Sequence, residues 1–190
     1  MKPLPGWMLV TVFIVMMPNL PSWAGEQPQL VPTRDVDITY DVTRPQQPKS
    51  HERVRWLASE HLERVDSGGK STTILDRKGG EVTLLIPASR TYRKLDSVAR
   101  GPMEPEAGTV LKRGAESVIA GLACVDWSWT EETETHTACV TADGVLLRLV
   151  IDANMLMQAR SVTYGPQRPD LFQVPLGYTP ALAPEGETGQ

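Results

Sequence analysis

This chain of 190 residues carries only two cysteines and two phenylalanines, and it has no excess of positive charge. It also has no apolar run near the roughly 20 residues that a membrane-spanning helix needs. Each shortage removes a class of function. Lys+Arg number 19 against 23 Asp+Glu, a net charge of −4, and no basic cluster stands out. That balance argues against nucleic acid and anionic membrane surfaces as main partners. His51, His61 and His136 with the two cysteines do not assemble a four-ligand structural zinc set. There is no Gly-x-Ser-x-Gly elbow for a serine nucleophile. Gly68-Gly69-Lys70-Ser71-Thr72 looks like the end of a phosphate-binding loop, but Arg64 stands where the pattern wants its first glycine. Its flanks also read as antiparallel strands, so a hairpin turn is the better reading. No enzyme, no metal and no cofactor are expected.

The longest apolar run, Trp7 to Met17, follows Lys2 and is broken by Pro18 and Pro21. Ser22 and Ala24 then place small residues at the −3 and −1 positions of a cleavage site. Residues 1–24 read as a signal peptide cleaved after Ala24. No cysteine follows the run to accept a lipid. The expectation is a periplasmic protein with no stable membrane insertion after cleavage, in a compartment that permits a disulfide.

What is abundant is short alternation punctuated by turns. Residues 25–33 read as a Pro/Gln linker, 34–178 as one domain, and 179–190 as a disordered Pro/Gly-rich tail. In RDVDITY, Val36, Ile38 and Tyr40 fall on one side; in HERVRWLAS, Val54 and Trp56 do. STTILD, EVTLLI (Val82, Leu84 and Ile86 inward) and RTYRKL continue the pattern between Gly-rich turns. Arg53, Arg55, Arg64 and Asp66 fall on the opposite side and read as a solvated charged face. Residues 96–116 mix Pro and Gly with short apolar groups and suit a segment packed over one mouth of a curved sheet.

The clearest stretch runs from Ser117 to Tyr164 and reads as a four-stranded antiparallel meander. Asp143-Gly144 between two apolar runs is a strong hairpin signal. A pairing centred between Glu131 and Glu132 sets Trp129 against Glu134, Trp127 against His136 and Val125 against Ala138. The same register sets Cys124 directly opposite Cys139, which predicts a disulfide. Around Asp143-Gly144, Val140 pairs with Leu147 and Ala138 with Leu149. One face thus collects Val125, Trp127, Trp129, Val140, Leu147 and Leu149. A face with two tryptophans is either core or the lining of an apolar ligand cavity.

The strand RDVDITY, the block GLACVDW…CVTADGVLLR and the closing LFQVPLGY resemble the LolA/LolB-like periplasmic lipoprotein-carrier superfamily. Phe172, Val174, Pro175, Gly177 and Tyr178 are similar to the ending of DUF4412-type domain proteins. The resemblance implies a mainly β fold with a few short helices, a curved antiparallel half-barrel around a hydrophobic cavity. It implies non-catalytic binding of a lipid or lipoprotein acyl chain, and the six residues of the tryptophan face are the candidates to hold it. The alternative is a structural or interaction module with a filled core, partnered by an envelope protein.

Overall fold

The computed structural model describes residues 27–95 and 104–181. The expected signal peptide, the start of the linker and the end of the tail lie outside the described residues. Six strands come first: β1 (Val36–Val42), β2 (Ser50–Leu57), β3 (Leu62–Ser67), β4 (Ser71–Asp76), β5 (Val82–Ile86) and β6 (Thr91–Leu95). Five follow: β7 (Lys112–Ile119), β8 (Leu122–Glu131), β9 (Glu134–Val140), β10 (Leu146–Ile151) and β11 (Asn154–Tyr164). A 3-10 turn, Pro169–Phe172, and the short β12 (Thr179–Pro180) close the described chain. All belong to one sheet in the order β12-β6-β5-β4-β3-β2-β1-β11-β10-β9-β8-β7. Each half is a meander, and antiparallel pairing of β1 with β11 joins the halves. The result is an open, curved, almost wholly β sheet, as the half-barrel expectation required.

Turn chemistry sets the strand count. Type I′ turns need positive φ at both central residues. Gly68 and Gly69 supply it between β3 and β4, at 57° and 74°, so the stretch that resembled a phosphate loop is a hairpin turn. Ala120 and Gly121 supply it at 49° and 79° and cut the segment read as one strand from Ser117 into β7 and β8. The meander therefore has five strands, not four. Alanine rarely adopts this conformation, so Ala120-Gly121 carries little mark of a turn.

The β8–β9 register differs from the expected one by two residues. Glu131 pairs with Glu134 across a turn of Glu132 and Thr133, so Trp129 faces His136, Trp127 faces Ala138 and Asp126 faces Cys139. A shift of two keeps every side chain on its face. Cys124 and Cys139 are consequently diagonal neighbours, and the disulfide joins them at a Cα–Cα distance of 5.4 Å. Between β9 and β10 a bulge puts Leu146, not Leu147, opposite Val140, while Leu149 still faces Ala138. Leu147 leaves the tryptophan face for this reason. It packs with Val36, Ile38, Tyr40, Cys124, Cys139 and Ala159.

The opposite face of the first half is covered by the C-terminal phrase. Phe172 packs with Leu57, Ile74 and Leu85, flanked by Tyr92, Leu171, Val174 and Tyr178. This cover explains why β5 buries Thr83 and Leu85 as well as Val82, instead of the alternating set expected. It also changes the charged face. Arg55 and Arg64 keep side-chain exposures of only 12% and 17%, and Arg64 donates to the Leu171 carbonyl at 2.6 Å. Residues 179 and 180 are not tail: Thr179 N–H donates to Arg90 O and Ala181 N–H to Tyr92 O. Nor is the described end of the linker loose. Thr33 N–H donates to Asp143 O at 3.0 Å, and a Cβ on Gly144 (φ 91°) would lie 2.2 Å from the Val31 carbonyl oxygen.

Candidate functional site

A cavity of about 370 Å³ opens on the inner face of β1–β3, within the size range of ligand pockets. Strand alternation builds its floor. Ile38, Val54 and Val65 stand side by side on three successive strands, because Ile38 pairs with Val54 and Val54 with Val65. Tyr40 with Glu52, and Trp56 with Glu63, form the flanking rows. Leu146, Leu156 and Met157 close the far wall from the second half of the sheet. Leu30, Val31 and Pro32 of the N-terminal segment complete it.

Polar groups occupy defined places around this apolar surface. Tyr40 is buried and its hydroxyl donates to Leu146 O at 2.8 Å, tying the floor to the far wall. Burial first, then the charge of Glu63, pushes its phenol well above the usual range. Arg44 pairs with Glu52 at 2.7 Å. Arg77 pairs with Glu63 at 2.6 Å and also with Glu104. Burial favours the neutral form of Arg77, but these two carboxylates outweigh it and hold the guanidinium above its ordinary value. Trp56 is 3% exposed, and its closed-off indole Nε1–H has no hydrogen-bond partner among the described residues.

The residues expected to line a cavity lie elsewhere. Trp127, Trp129, Val140 and Leu149 are buried together with Ala138 and Leu111, and Val125 packs at the edge of that cluster. Leu147 sits in the other core cluster. None of the six is among the lining residues. Trp129 stacks instead on His136, with ring centroids 5.1 Å apart. The cluster reaches the cavity only through shared neighbours, since Leu30, Leu146, Leu156 and Met157 belong to both. The true lining carried a signal in the sequence: Glu52 and Glu63 share the inward parity of Val54, Trp56 and Val65. A carboxylate on an apolar strand face marks a place where water or ligand reaches the sheet.

No family model matches the chain, and no curated protein does. Solved structures do. The structure of PNGF-II superposes with a TM-score of 0.51 at 13% identity, over 77% of this chain and 30% of that one. MucB gives 0.48 at 13% identity, over 76% and 58%. A LolA superfamily protein from Nitrosomonas europaea gives 0.39 at 8% identity, over 76% and 93%. This chain thus spans under a third of the PNGF-II structure, and at these identities the likeness is one of fold alone.

Proposed function

We propose that the protein is exported to the periplasm, cleaved after Ala24, and binds an apolar ligand without catalysis. The ligand class is a lipid or a lipoprotein acyl chain, and the site is the Ile38–Val54–Leu156 cavity. One observation carries this reading: apolar side chains from both halves of the sheet wall an open volume of about 370 Å³. Trp127, Trp129, Val140 and Leu149, in contrast, are buried against one another in a core cluster. The Cys124–Cys139 bond fits an oxidising compartment.

Binding of Nile red, an uncharged apolar dye, tests the site. Val54→Trp fills the floor and is expected to weaken the dye at least tenfold, while Trp127→Phe leaves its affinity within twofold. Equal binding by the parent and Val54→Trp proteins would remove the cavity from consideration. An envelope interaction module remains the second reading, favoured by one feature. Strand β7 ends the sheet, and Val118 on it is 73% exposed. A sheet edge of this kind is a template for strand addition.

A further inference from the structure

Two arginines line the cavity, and they are partnered differently. Arg77 bridges two carboxylates: its Nε and Nη2 donate to Glu63, and its Nη1 donates to Glu104. Arg44 donates through Nη2 to Glu52 at 2.7 Å, and this is its one side-chain hydrogen bond among the described residues. A guanidinium carries five N–H donors in a planar fork, and it binds carboxylates most strongly through two at once. The Arg44 side chain is 42% exposed, so a molecule entering the cavity can reach it. Its backbone is held on both sides. Thr43 N–H donates to Leu156 O at 2.8 Å, and Gln47 N–H closes a turn onto Arg44 O at 3.2 Å. Glu52 lines the cavity from β2 together with Val54 and Trp56, so the guanidinium paired with it stands at the cavity and not over the outer face. The two arginines also mark two ends that differ in charge. Arg44 and Glu52 balance, whereas Glu63 and Glu104 outnumber Arg77. Glu52 and Trp56, the partner of Glu63, are four residues apart on β2, about 13 Å, the extended length of a chain of about ten carbons.

We infer, resting on the cavity reading above, that Arg44 binds the carboxylate of a single-chain fatty acid whose tail lies over Ile38, Val54 and Val65. The ligand's carboxylate joins Glu52 on the guanidinium of Arg44, as Glu104 joins Glu63 on that of Arg77. The excess of negative charge at the Arg77 end sets the direction of the chain: the acid group stays at Arg44 and the methyl end points away from it.

The experiment displaces Nile red from the protein at neutral pH with decanoate and with methyl decanoate, which differ only in the charge of the head. Decanoate is expected to compete better in the unaltered protein, although the ester is the more apolar molecule. Arg44→Gln should weaken decanoate about tenfold more than the ester, the size of one hydrogen bond to a charged group. A merely structural Arg44 would lower acid and ester alike. Glu52→Gln removes the carboxylate that shares the guanidinium, and decanoate should then gain about threefold to tenfold on the ester. A gain of this kind cannot come from a variant that fails to fold. Acid no better than ester in the unaltered protein, a preference that survives Arg44→Gln, or no gain in Glu52→Gln overturns the role of Arg44 and leaves the cavity intact. Failure of both chains to displace the dye overturns the cavity reading, and this inference with it.

Discussion

Tyr40 shows how one side chain joins the two halves of the sheet. Its hydroxyl bonds to a carbonyl more than a hundred residues away, inside the core. Tyr40→Phe keeps the ring and removes the bond, and leaves Leu146 O one donor short. The expected loss is about 1–2 kcal/mol, read as a lower denaturant midpoint with an unchanged m-value. Asp66 acts on the outer face. It accepts from Arg55 at 2.6 Å, from Arg64 at 2.8 Å and from Thr72 at 2.7 Å. Burial pushes its carboxyl up, but the bonds from Arg64 and Thr72 and the charges of Arg64 and Arg55 prevail and hold it below the usual range. A carboxyl depressed in the folded state stabilises the fold above its unfolded value of about 3.9, and that contribution disappears as the pH falls through the folded value. Asp66→Asn should therefore lower stability at neutral pH and flatten the acid limb below about pH 4. Urea midpoints measured from pH 2 to 7 check both.

At the scale of elements, the β8–β9 hairpin is held twice, by its ladder and by the Cys124–Cys139 bond. Reduction should cost about 3 kcal/mol for a loop of this length. Thermal unfolding with and without reductant measures the loss, and Cys124→Ser/Cys139→Ser should reproduce it. The disulfide was legible in the sequence even though the register was not. Face is fixed by the period of two, and both registers keep the cysteines on one side. The exact pairing depends on which residues turn, and Glu132 entering positive φ has no mark in the sequence. The same limit hid the Ala120-Gly121 turn and the bulge at Leu147. Strand positions in the first half were legible from alternation. Their second buried face was not, because Phe172 and its neighbours cover it from almost a hundred residues away. The cavity was missed on the same grounds: aromatic content pointed to Trp127 and Trp129, whereas the open volume lies over the inner face of β1–β3, against Leu146, Leu156 and Met157.

For the molecule as a whole, the N-terminal segment counts as structure. Val31 O lies so near Gly144 that no Cβ fits, and the glycine's φ of 91° suits no other residue well. Gly144→Ala should displace residues 29–33 from the wall. Faster amide hydrogen exchange at Thr33, together with weaker Nile red binding, is the expected signature. Arg34 reinforces the same attachment, pairing with Asp143 at 2.8 Å and lying 3.9 Å over the ring of Tyr164.

The β1–β11 seam has a bearing on the order of events during folding. Strands β1 to β6 are a run of local hairpins, and so are β7 to β11, so each set can zip from its turns. The seam between them closes a loop of more than a hundred residues, and such closures are slow because chain entropy must be given up before any contact repays it. Both cavity walls lie across that seam. Until the seam closes, the cavity lacks one of its walls, so under the proposed reading ligand capture is the last event of folding, reserved for chains that are already whole.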